Sequence, residues 1–405
     1  MEKRSRKTIE RFGWGALALI SLLLAVRLVY FAFQVSQDFE VYWRAVRYWL
    51  AGESPYTIRP EDLGFVFKYP PWMIPVLLPF GWMSWSVAKI VWALIEILLI
   101  GYSARRLLRL GLSRKSVLWT TFLFWWIWLA HVTAGQITVA LMAAALWAFE
   151  PGTPNGKGAK NPFRLSVLVV LFSSKIFSLI SLLGIYRRLI QARVIAFGLI
   201  FLLLSHLVVL GVYRLAGSDI GLVGLYQQWM AAAASGAAEL GEEVIRGGGN
   251  HGFTAGVLRN LQVDARSTKI DYLVFAVLGL IFGFLWTRFS RGLPELDRWL
   301  GWVALGLIVH PLAWHHSFVL AFPFCALSLH RSLESRSRRN VALSVLGICC
   351  IGILIPQVIG KEWVRPLERV SVKSWGVFFS ALGVLLSARQ VGNPDPVARS
   401  ITRSI

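Results

Sequence analysis

The sequence predicts an all-α polytopic membrane protein, a bundle of about ten to twelve transmembrane or half-membrane helices with two long extracytoplasmic loops. First, 56% of its 405 residues are hydrophobic and only 16% are charged, so the chain is more apolar than most soluble domains. Second, the apolar residues form runs as long as a bilayer is thick. The segment 13–34 has one charge in 22 residues, and about 20 apolar residues span a bilayer as a helix. Third, the charged residues come in short bursts between these runs.

The net charge of +21 indicates membrane topology rather than a nucleic-acid partner. The basic residues are scattered between apolar runs and do not cluster on one domain. This pattern is typical of positively charged loops on one side of a membrane. The three cysteines lie inside apolar runs and show neither a disulfide framework nor metal-ligand spacing. We therefore predict no nucleic-acid partner, no metal and no cofactor.

The chain can be threaded as one integral membrane domain over 1–405, with most basic clusters on the cytoplasmic side. The segment 13–34 is expected to be an uncleaved first helix that starts inside. Outer loop 1 then covers about 35–83, and outer loop 2 covers about 214–269. The tail, about 389–405, returns to the cytoplasm.

The segment 164–186 is the exception in this threading. It is about one span long, yet Arg164 precedes it and Arg187, Arg188 and Arg193 follow it. A single crossing would put the last three arginines outside. The sequence therefore predicts a broken hairpin, with two half-helices that meet near 173–175, which is tolerated where the backbone is buried in protein or faces a wet cavity.

Polar side chains gather at the predicted outer face. Five of the seven histidines fall there: His131, His251, His310, His315 and His316. Outer loops need polar residues in any case, but the concentration favours a site.

Two ionisable residues stand out beside these histidines. Asp38 begins an amphipathic helix over 38–50, expected to lie on the membrane surface, and is either its N-cap or a general base. Lys175, at the tip of the broken hairpin, either snorkels to the interface or binds a phosphate. Arg27 is a similar, weaker candidate. Glu96 is expected to pair with a cation in the bundle.

Several motifs of nucleotide-dependent and hydrolytic chemistry are absent. The sequence has no Asp-x-Asp, Walker A, Gly-x-Ser-x-Gly or His-Glu-x-x-His motif, and the glycine-rich 247–252 lacks a strand–loop–helix context. A lipid-carried donor used at the outer face therefore fits better than a nucleotide-carried donor.

The chain resembles glycosyltransferase family 87, the polyprenol-phosphate-mannose-dependent mannosyltransferases with a GT-C membrane fold. Six segments carry the resemblance in order, and Tyr-Pro-Pro after Asp-Phe-x-Val-Tyr is the most specific. They are DFEVYWRAVRYWLAGESPY (38–56), FKYPPWMIPVLLPF (67–80), AGQITVALMAAAL (134–146), SSKIFSLISLLGIYRR (173–188), NHGFTAGVLR (250–259) and HPLAWHH (310–316).

The resemblance implies a GT-C-like bundle and an inverting transfer of a sugar, expected to be mannose, from a polyprenyl-phosphate carrier to a glycolipid or glycan acceptor. The enzyme would act at the extracytoplasmic face of a bacterial cytoplasmic (inner) membrane. Asp38 would be the catalytic base. The donor phosphate would be bound by Lys175, His316 and Arg259. The substrates would be contacted by Glu40, Tyr42, Tyr69, Gln136, Asn250, His251 and His315.

Three departures from the family pattern lie near this predicted site. His251 stands where glutamine is usual, and His310 and Ala313 each stand where serine is usual. They bear on donor and acceptor identity. A polytopic transporter or flippase, or a non-catalytic subunit of an envelope polysaccharide or glycolipid pathway, remains the alternative.

Overall fold

The computed structural model describes residues 37–57, 59, 65–149, 161–238, 249–261 and 268–392, together with 22, 26, 27 and 30. Most of the predicted first helix 13–34, parts of both long loops, most of the linker 150–163 and most of the tail 389–405 lie outside this range. Within it the chain is helical and has no strand; a single bridge joins Asn250 and Trp314. This confirms the all-α polytopic fold class.

Nine helices make up the first half of the described chain. They are α1 (Gln37–Leu50), α2 (Ile74–Gly81), α3 (Trp85–Arg109), α4 (Arg114–Leu123), α5 (Trp125–Ala134), α6 (Thr138–Trp147), α7 (Pro162–Ser173), α8 (Tyr186–Leu189) and α9 (Ala192–Leu215). Tighter 3₁₀ turns cover Pro71–Met73 and Ile176–Ile185.

The second half continues with α10 (Leu222–Ala238), α11 (Phe253–Leu261), α12 (Thr268–Phe289), α13 (Glu295–Val309), α14 (Phe322–Glu334), α15 (Arg338–Gly352), α16 (Pro356–Ile359), α17 (Lys361–Arg369) and α18 (Val372–Gly392). A 3₁₀ segment, His315–Ala321, precedes α14.

Three described helices are long and apolar enough to cross a membrane: α3, α9 and residues Ile270–Phe289 of α12. Two bent pairs, α4 with α5 at 59° and α17 with α18 at 67°, raise the number to five if each pair is one span. The other apolar segments are shorter or interrupted. The runs of apolar sequence therefore correspond to a mixture of full spans and half-length helices.

The basic clusters lie together at one end of the bundle. Arg106 near the end of α3 donates to Leu146 O and Phe149 O at the end of α6. Arg331 near the end of α14 bonds both oxygens of Asp297 at the start of α13, at 2.9 and 3.1 Å. We call this the basic end of the bundle. Its residues are 105–115, 146–149, 163–166, 187–194, 290–298 and 330–340.

The predicted break in 164–186 is present. The helix α7 stops at Ser173, Lys175 has extended backbone angles, and 3₁₀ turns follow. Near its start, α7 packs against the start of α9, because Ser166 Oγ donates to Val194 O at 2.7 Å. Both ends of the segment therefore lie at the basic end, and its tip at Ser174 and Lys175 lies away from it, as a broken hairpin requires.

The helices α14, α15 and α18 pack closely through small residues. Ser328 Oγ lies 2.7 Å from Ser344 Oγ and donates to Ser380 O at 2.7 Å. Gly347 and Gly376 face each other so closely that a Cβ on either would meet the other's carbonyl oxygen. Small residues and hydroxyl hydrogen bonds are the usual means of helix association in membranes.

The helix α1 corrects one expectation. Its apolar face does not lie on a lipid surface but packs inside the protein, where Phe39, Val46 and Trp49 are buried. Phe39 stacks on Trp92 of α3 at 4.7 Å, and Trp49 Nε1 donates to Val209 O of α9 at 3.2 Å. Periodicity identifies an apolar face, but it does not distinguish lipid from neighbouring helices as the partner.

Candidate active site

A chain of hydrogen bonds joins three of the predicted site residues. Gln136 Nε2 donates to Asp38 Oδ2 at 2.6 Å, and Lys175 Nζ donates to Gln136 Oε1 at 2.8 Å. Lys175 Nζ also donates to Thr138 Oγ1 at 2.9 Å, and Thr138 Oγ1 donates to Gln136 Oε1 at 3.2 Å. The carboxylate and the ammonium are thus held on the two sides of one amide group.

Local backbone features place each member of this chain. Gly135 ends α5 in the left-handed conformation, with φ of 71°, which a glycine adopts without strain. Gln136 therefore projects from a tight turn between α5 and α6. Lys175 projects from the break after α7, and Asp38 lies within the first described turn of α1. Asp38 bonds to Gln136 and lies inside a helix, which disfavours the N-cap interpretation.

The surroundings of Asp38 push its pKa in two directions. Burial is the largest influence and raises the pKa above its ordinary value. The Gln136 hydrogen bond and the charges of Lys175 and Lys68 oppose that rise. The net shift of the pKa is upward, so Asp38 is a stronger base than an exposed aspartate. Its carboxylate still accepts the hydrogen bond from Gln136.

Tyr42 and Tyr69 form one wall next to this chain. Their hydroxyls lie 2.9 Å apart, and both rings are buried. Tyr56 Oη donates to Tyr69 O at 2.9 Å. Burial raises the pKa of both Tyr42 and Tyr69, with Asp38 adding to the effect. Both phenols therefore stay protonated and act as hydrogen-bonding groups, not as bases.

Glu40 is engaged on its own helix. Its Oε1 lies 2.7 Å from Arg44 Nη2, one turn further along α1. The side chain is about two residues, roughly 200°, around the helix from Asp38. The structure therefore does not bring Glu40 into the Asp38–Gln136–Lys175 chain, and its substrate contact stays a prediction.

His316 is held through its backbone by a buried pair from two helices. His131 Nδ1 lies 3.2 Å from His316 O, and His131 Nε2 lies 3.1 Å from Glu96 Oε1. His131 and Glu96 are both fully buried. Burial lowers the pKa of His316, and the nearby charge of Lys175 lowers it further. His131 thus lies against Glu96, although neither atom of that contact makes a hydrogen bond, and the pairing of Glu96 with a cation stays a prediction. The charge of Lys175 also reaches His316.

Arg259 is hydrogen-bonded to oxygen atoms of the protein. Its guanidinium donates to Asn250 O at 2.8 Å, to Glu368 O at 2.8 Å and to Ser371 Oγ at 2.9 Å. It therefore ties α11 to the preceding loop and to the α17–α18 bend. Its donor groups are directed at backbone and hydroxyl oxygens within the protein, and its donor-phosphate contact stays a prediction.

Asn250 holds two segments of the protein together, and its substrate contact stays a prediction. Its side chain is fully buried. Its Nδ2 donates to Pro311 O at 2.6 Å, and its Oδ1 accepts from Ala313 N at 3.0 Å and from Gly252 N at 3.2 Å. Asn250 thereby joins the segment 249–252 to the segment 310–316.

His251 and His315 meet as a pair of rings. Their centroids are 4.3 Å apart, and His251 Nε2 lies 3.1 Å from Nδ1 and 3.2 Å from Nε2 of His315. Burial lowers the pKa of His251 well below its ordinary value, and lowers that of His315 to about 3. Both rings are therefore neutral in the folded protein.

Some residues of this region carried no signal in the sequence. Thr138 is the second partner of Lys175, and Glu368 and Lys373 lie near the His251–His315 pair. A threonine in the first turn of an apolar helix has no distinctive pattern. Glu368 and Lys373 stand among other charges of an amphipathic segment, so only the fold shows which of them turn inward.

The sequence model of glycosyltransferase family 87 matches residues 67–311. This is more than half of the chain. The chain belongs to glycosyltransferase family 87. The match contains Tyr69, Gln136 and Lys175, whereas Asp38 and His316 lie outside it. A search of curated proteins and a search of solved structures each found no match.

Membership of glycosyltransferase family 87 makes the chain a glycosyltransferase, which acts on a sugar donor and an acceptor. The structure adds the arrangement of its polar groups. Gln136 and Lys175, which the family match contains, are hydrogen-bonded in one chain to Asp38, which lies before it. The helix α1 therefore belongs to the same site as the matched region.

Proposed function

We propose that the protein is an inverting glycosyltransferase that moves a sugar from a polyprenyl-phosphate carrier to a glycolipid or glycan acceptor. The observation that carries the proposal is the chain Asp38–Gln136–Lys175, which holds a carboxylate and an ammonium at opposite ends of one amide group. A carboxylate suits the acceptor hydroxyl and an ammonium suits a phosphate, so the two substrates meet here.

Asp38 is the base in this mechanism. As the acceptor oxygen attacks the anomeric carbon, its proton passes to the Asp38 carboxylate. A new bond forms between the acceptor oxygen and the anomeric carbon, while the bond from that carbon to the phosphate oxygen breaks on the opposite face. The upward shift in the pKa of Asp38 favours this proton transfer.

Lys175 and His316 serve the leaving group. Polyprenyl phosphate departs with a growing negative charge and needs no proton from an acid, so one carboxylate is enough. An ammonium has three donors, and Gln136 and Thr138 orient two of those of Lys175. A phosphate oxygen can take the third, and a preorganised cation of this kind stabilises developing charge effectively. Mannose is the sugar that the family resemblance leads us to expect.

The site is proposed to face the extracytoplasmic side. The basic end of the bundle carries Arg105, Arg106, Arg109, Arg187 and Arg188, and the Asp38–Gln136–Lys175 chain lies away from it. Lysine and arginine are enriched on the cytoplasmic side of membrane proteins. This orientation supports a donor presented at the outer face of a bacterial cytoplasmic membrane.

Asp38→Asn tests the proposal. Asparagine keeps the size and can still accept the Gln136 hydrogen bond, but it cannot take a proton. Transfer from radiolabelled polyprenyl-phosphate mannose, measured with purified protein in proteoliposomes, should fall by about 10²–10⁴, while donor binding persists. The matched control is Glu40→Gln on the same helix, which should affect turnover far less. Near-normal turnover of Asp38→Asn would eliminate Asp38 as the base.

A further inference from the structure

A second group of polar side chains lies outside the Asp38–Gln136–Lys175 chain. His251 precedes α11, His315 follows α13 and Glu368 lies in the last turn of α17. One ligand atom from each of the three lies within 4.8 Å of the others, the one such group of metal-ligand side chains among the residues that the structure describes. We call it the His–His–Glu cluster.

The separation of the nearest imidazole nitrogens is close to that of two ligands of one ion. Two nitrogens bound about 2.0–2.1 Å from one tetrahedral zinc ion are separated by about 3.3 Å. His251 Nε2 lies 3.1 Å from His315 Nδ1 and 3.2 Å from His315 Nε2. At these separations the angle at the ion would be about 100°, close to tetrahedral.

An ordinary hydrogen bond between the rings does not explain this arrangement well. His251 Nε2 is almost equally far from both nitrogens of His315, so it faces Cε1 between them and not one N–H direction. Binding of a shared ion would require the His315 ring to turn one nitrogen towards that ion.

We propose that His251, His315 and Glu368 bind a divalent transition-metal cation of the zinc class. Two histidines and one glutamate are a recurrent protein ligand set for zinc, with a fourth position left for water or substrate. The backbone of His251 is fixed on both sides, because its N–H donates to Ala313 O at 2.8 Å and its O accepts from Ser374 Oγ at 2.5 Å. His315 and Glu368 are half-buried, which gives an ion a path to the cluster.

Three positive charges oppose a cation at the cluster. Lys373 Nζ donates to Ile351 O at 2.6 Å, and Arg259 donates to Asn250 O. The Lys373 charge reaches both imidazoles and Glu368, the Arg259 charge reaches His251 and Glu368, and the Arg365 charge reaches Glu368. Their repulsion makes the site weaker than a structural zinc site and therefore exchangeable.

The bound ion would join three segments that the sequence keeps apart. It would fix the end of α17 to the loop before α11 and to the segment 310–316, which also carries His316. This inference does not rest on the identity of the donor or on the role of Asp38. Since His251 stands where the family pattern has glutamine, the cluster would be a property of this chain.

The test uses the full chain in detergent, purified without a polyhistidine tag and stripped of metal with a chelator. Zn²⁺ and Co²⁺ are titrated separately, and the visible absorption of bound Co²⁺ reports coordination by imidazole. Wild-type protein should bind about one equivalent of each ion and should melt at a higher temperature when loaded. This measurement requires no variant, so misfolding of a variant cannot obscure it.

Variants then locate the ion. His315→Gln and Glu368→Gln should each weaken binding by at least about 100-fold, since even neighbours of ligands are worth about 10- to 100-fold. The matched control is Glu362→Gln, at an 85% exposed position on the same helix, which should bind as wild type does. Wild-type protein that binds neither ion more tightly than the double variant His315→Gln/Glu368→Gln would overturn the proposal.

Discussion

Gln136→Glu isolates the hydrogen bond that Gln136 gives to Asp38. Glutamate has the same shape and can still accept from Lys175 and Thr138, but as a carboxylate it has no proton to donate. The 2.6 Å contact with Asp38 Oδ2 then joins two carboxylates. Such a pair shares a proton and titrates as a unit, with one pKa strongly raised.

The expected magnitude follows from this contact. A hydrogen bond to a charged group contributes about 1.5–3 kcal/mol, and 1.36 kcal/mol corresponds to a factor of ten in rate. The Gln136 hydrogen bond opposes the rise in the pKa of Asp38, so its loss raises that pKa further. At a pH below the raised pKa, the charged fraction of Asp38 and with it the rate of transfer should fall by about 10- to 150-fold. The shared proton also blocks the base, so the acid limb of the pH–rate profile should move to higher pH. Activity should recover in part as the pH rises and the pair loses its proton.

The assay is kcat/KM for transfer from a radiolabelled polyprenyl-phosphate sugar in proteoliposomes, measured across pH. Thr138→Val is the matched control. It removes a partner of Lys175 at 2.9 Å without touching Asp38, so it should weaken the donor interaction and leave the acid limb where wild type has it. A Gln136→Glu enzyme with a wild-type acid limb and rate would refute the role of this hydrogen bond.

Two further predictions concern topology and stability. In a variant whose native cysteines are replaced, Asp219→Cys, at a fully exposed position after α9, should react with a membrane-impermeant maleimide in intact cells. Arg291→Cys, at the basic end, should react only after permeabilisation, and the opposite pattern would reverse the orientation. Asp297→Ala leaves the guanidinium of Arg331 without its two bonds at 2.9 and 3.1 Å. It should lower the melting temperature by more than Asp297→Asn, and an unchanged melting temperature would show that the pair contributes nothing.

The sequence identified Asp38, Gln136 and Lys175 separately, each by its residue type and place in a motif. It did not show that they form one chain, because Gln136 is 98 residues from Asp38 and 39 from Lys175. Their meeting depends on how α1 packs against α3 and on the turn at Gly135. These are tertiary features that a single sequence does not specify.

For Arg259 and Asn250, the sequence did not predict the partners of the side chains within the protein. Both stand in a segment that resembles a family motif, and the motif suggested contact with substrate. Their partners are carbonyl oxygens of Glu368 and Pro311, and backbone acceptors have no signature in a sequence. The motif therefore did not predict that these two side chains hold neighbouring segments of the protein together.

The placement of the site follows from where the helices are interrupted. In a bilayer, a peptide group outside a helix needs a partner from protein or water, so an interruption at depth needs polar neighbours. Four interruptions supply groups to this region: the turn at Gly135, the break at Lys175, the segment 310–314 and the bend at Ser371, which has a positive φ of 57°. Two of them are hydrogen-bonded to other parts of the same region: Lys175 donates to Gln136, and Ser371 donates to Gly252 O. The sequence revealed the break at Lys175 because arginines flank both ends of a single-span segment. The bend at Ser371 separates two helices of ordinary composition, and for that reason only the structure revealed it.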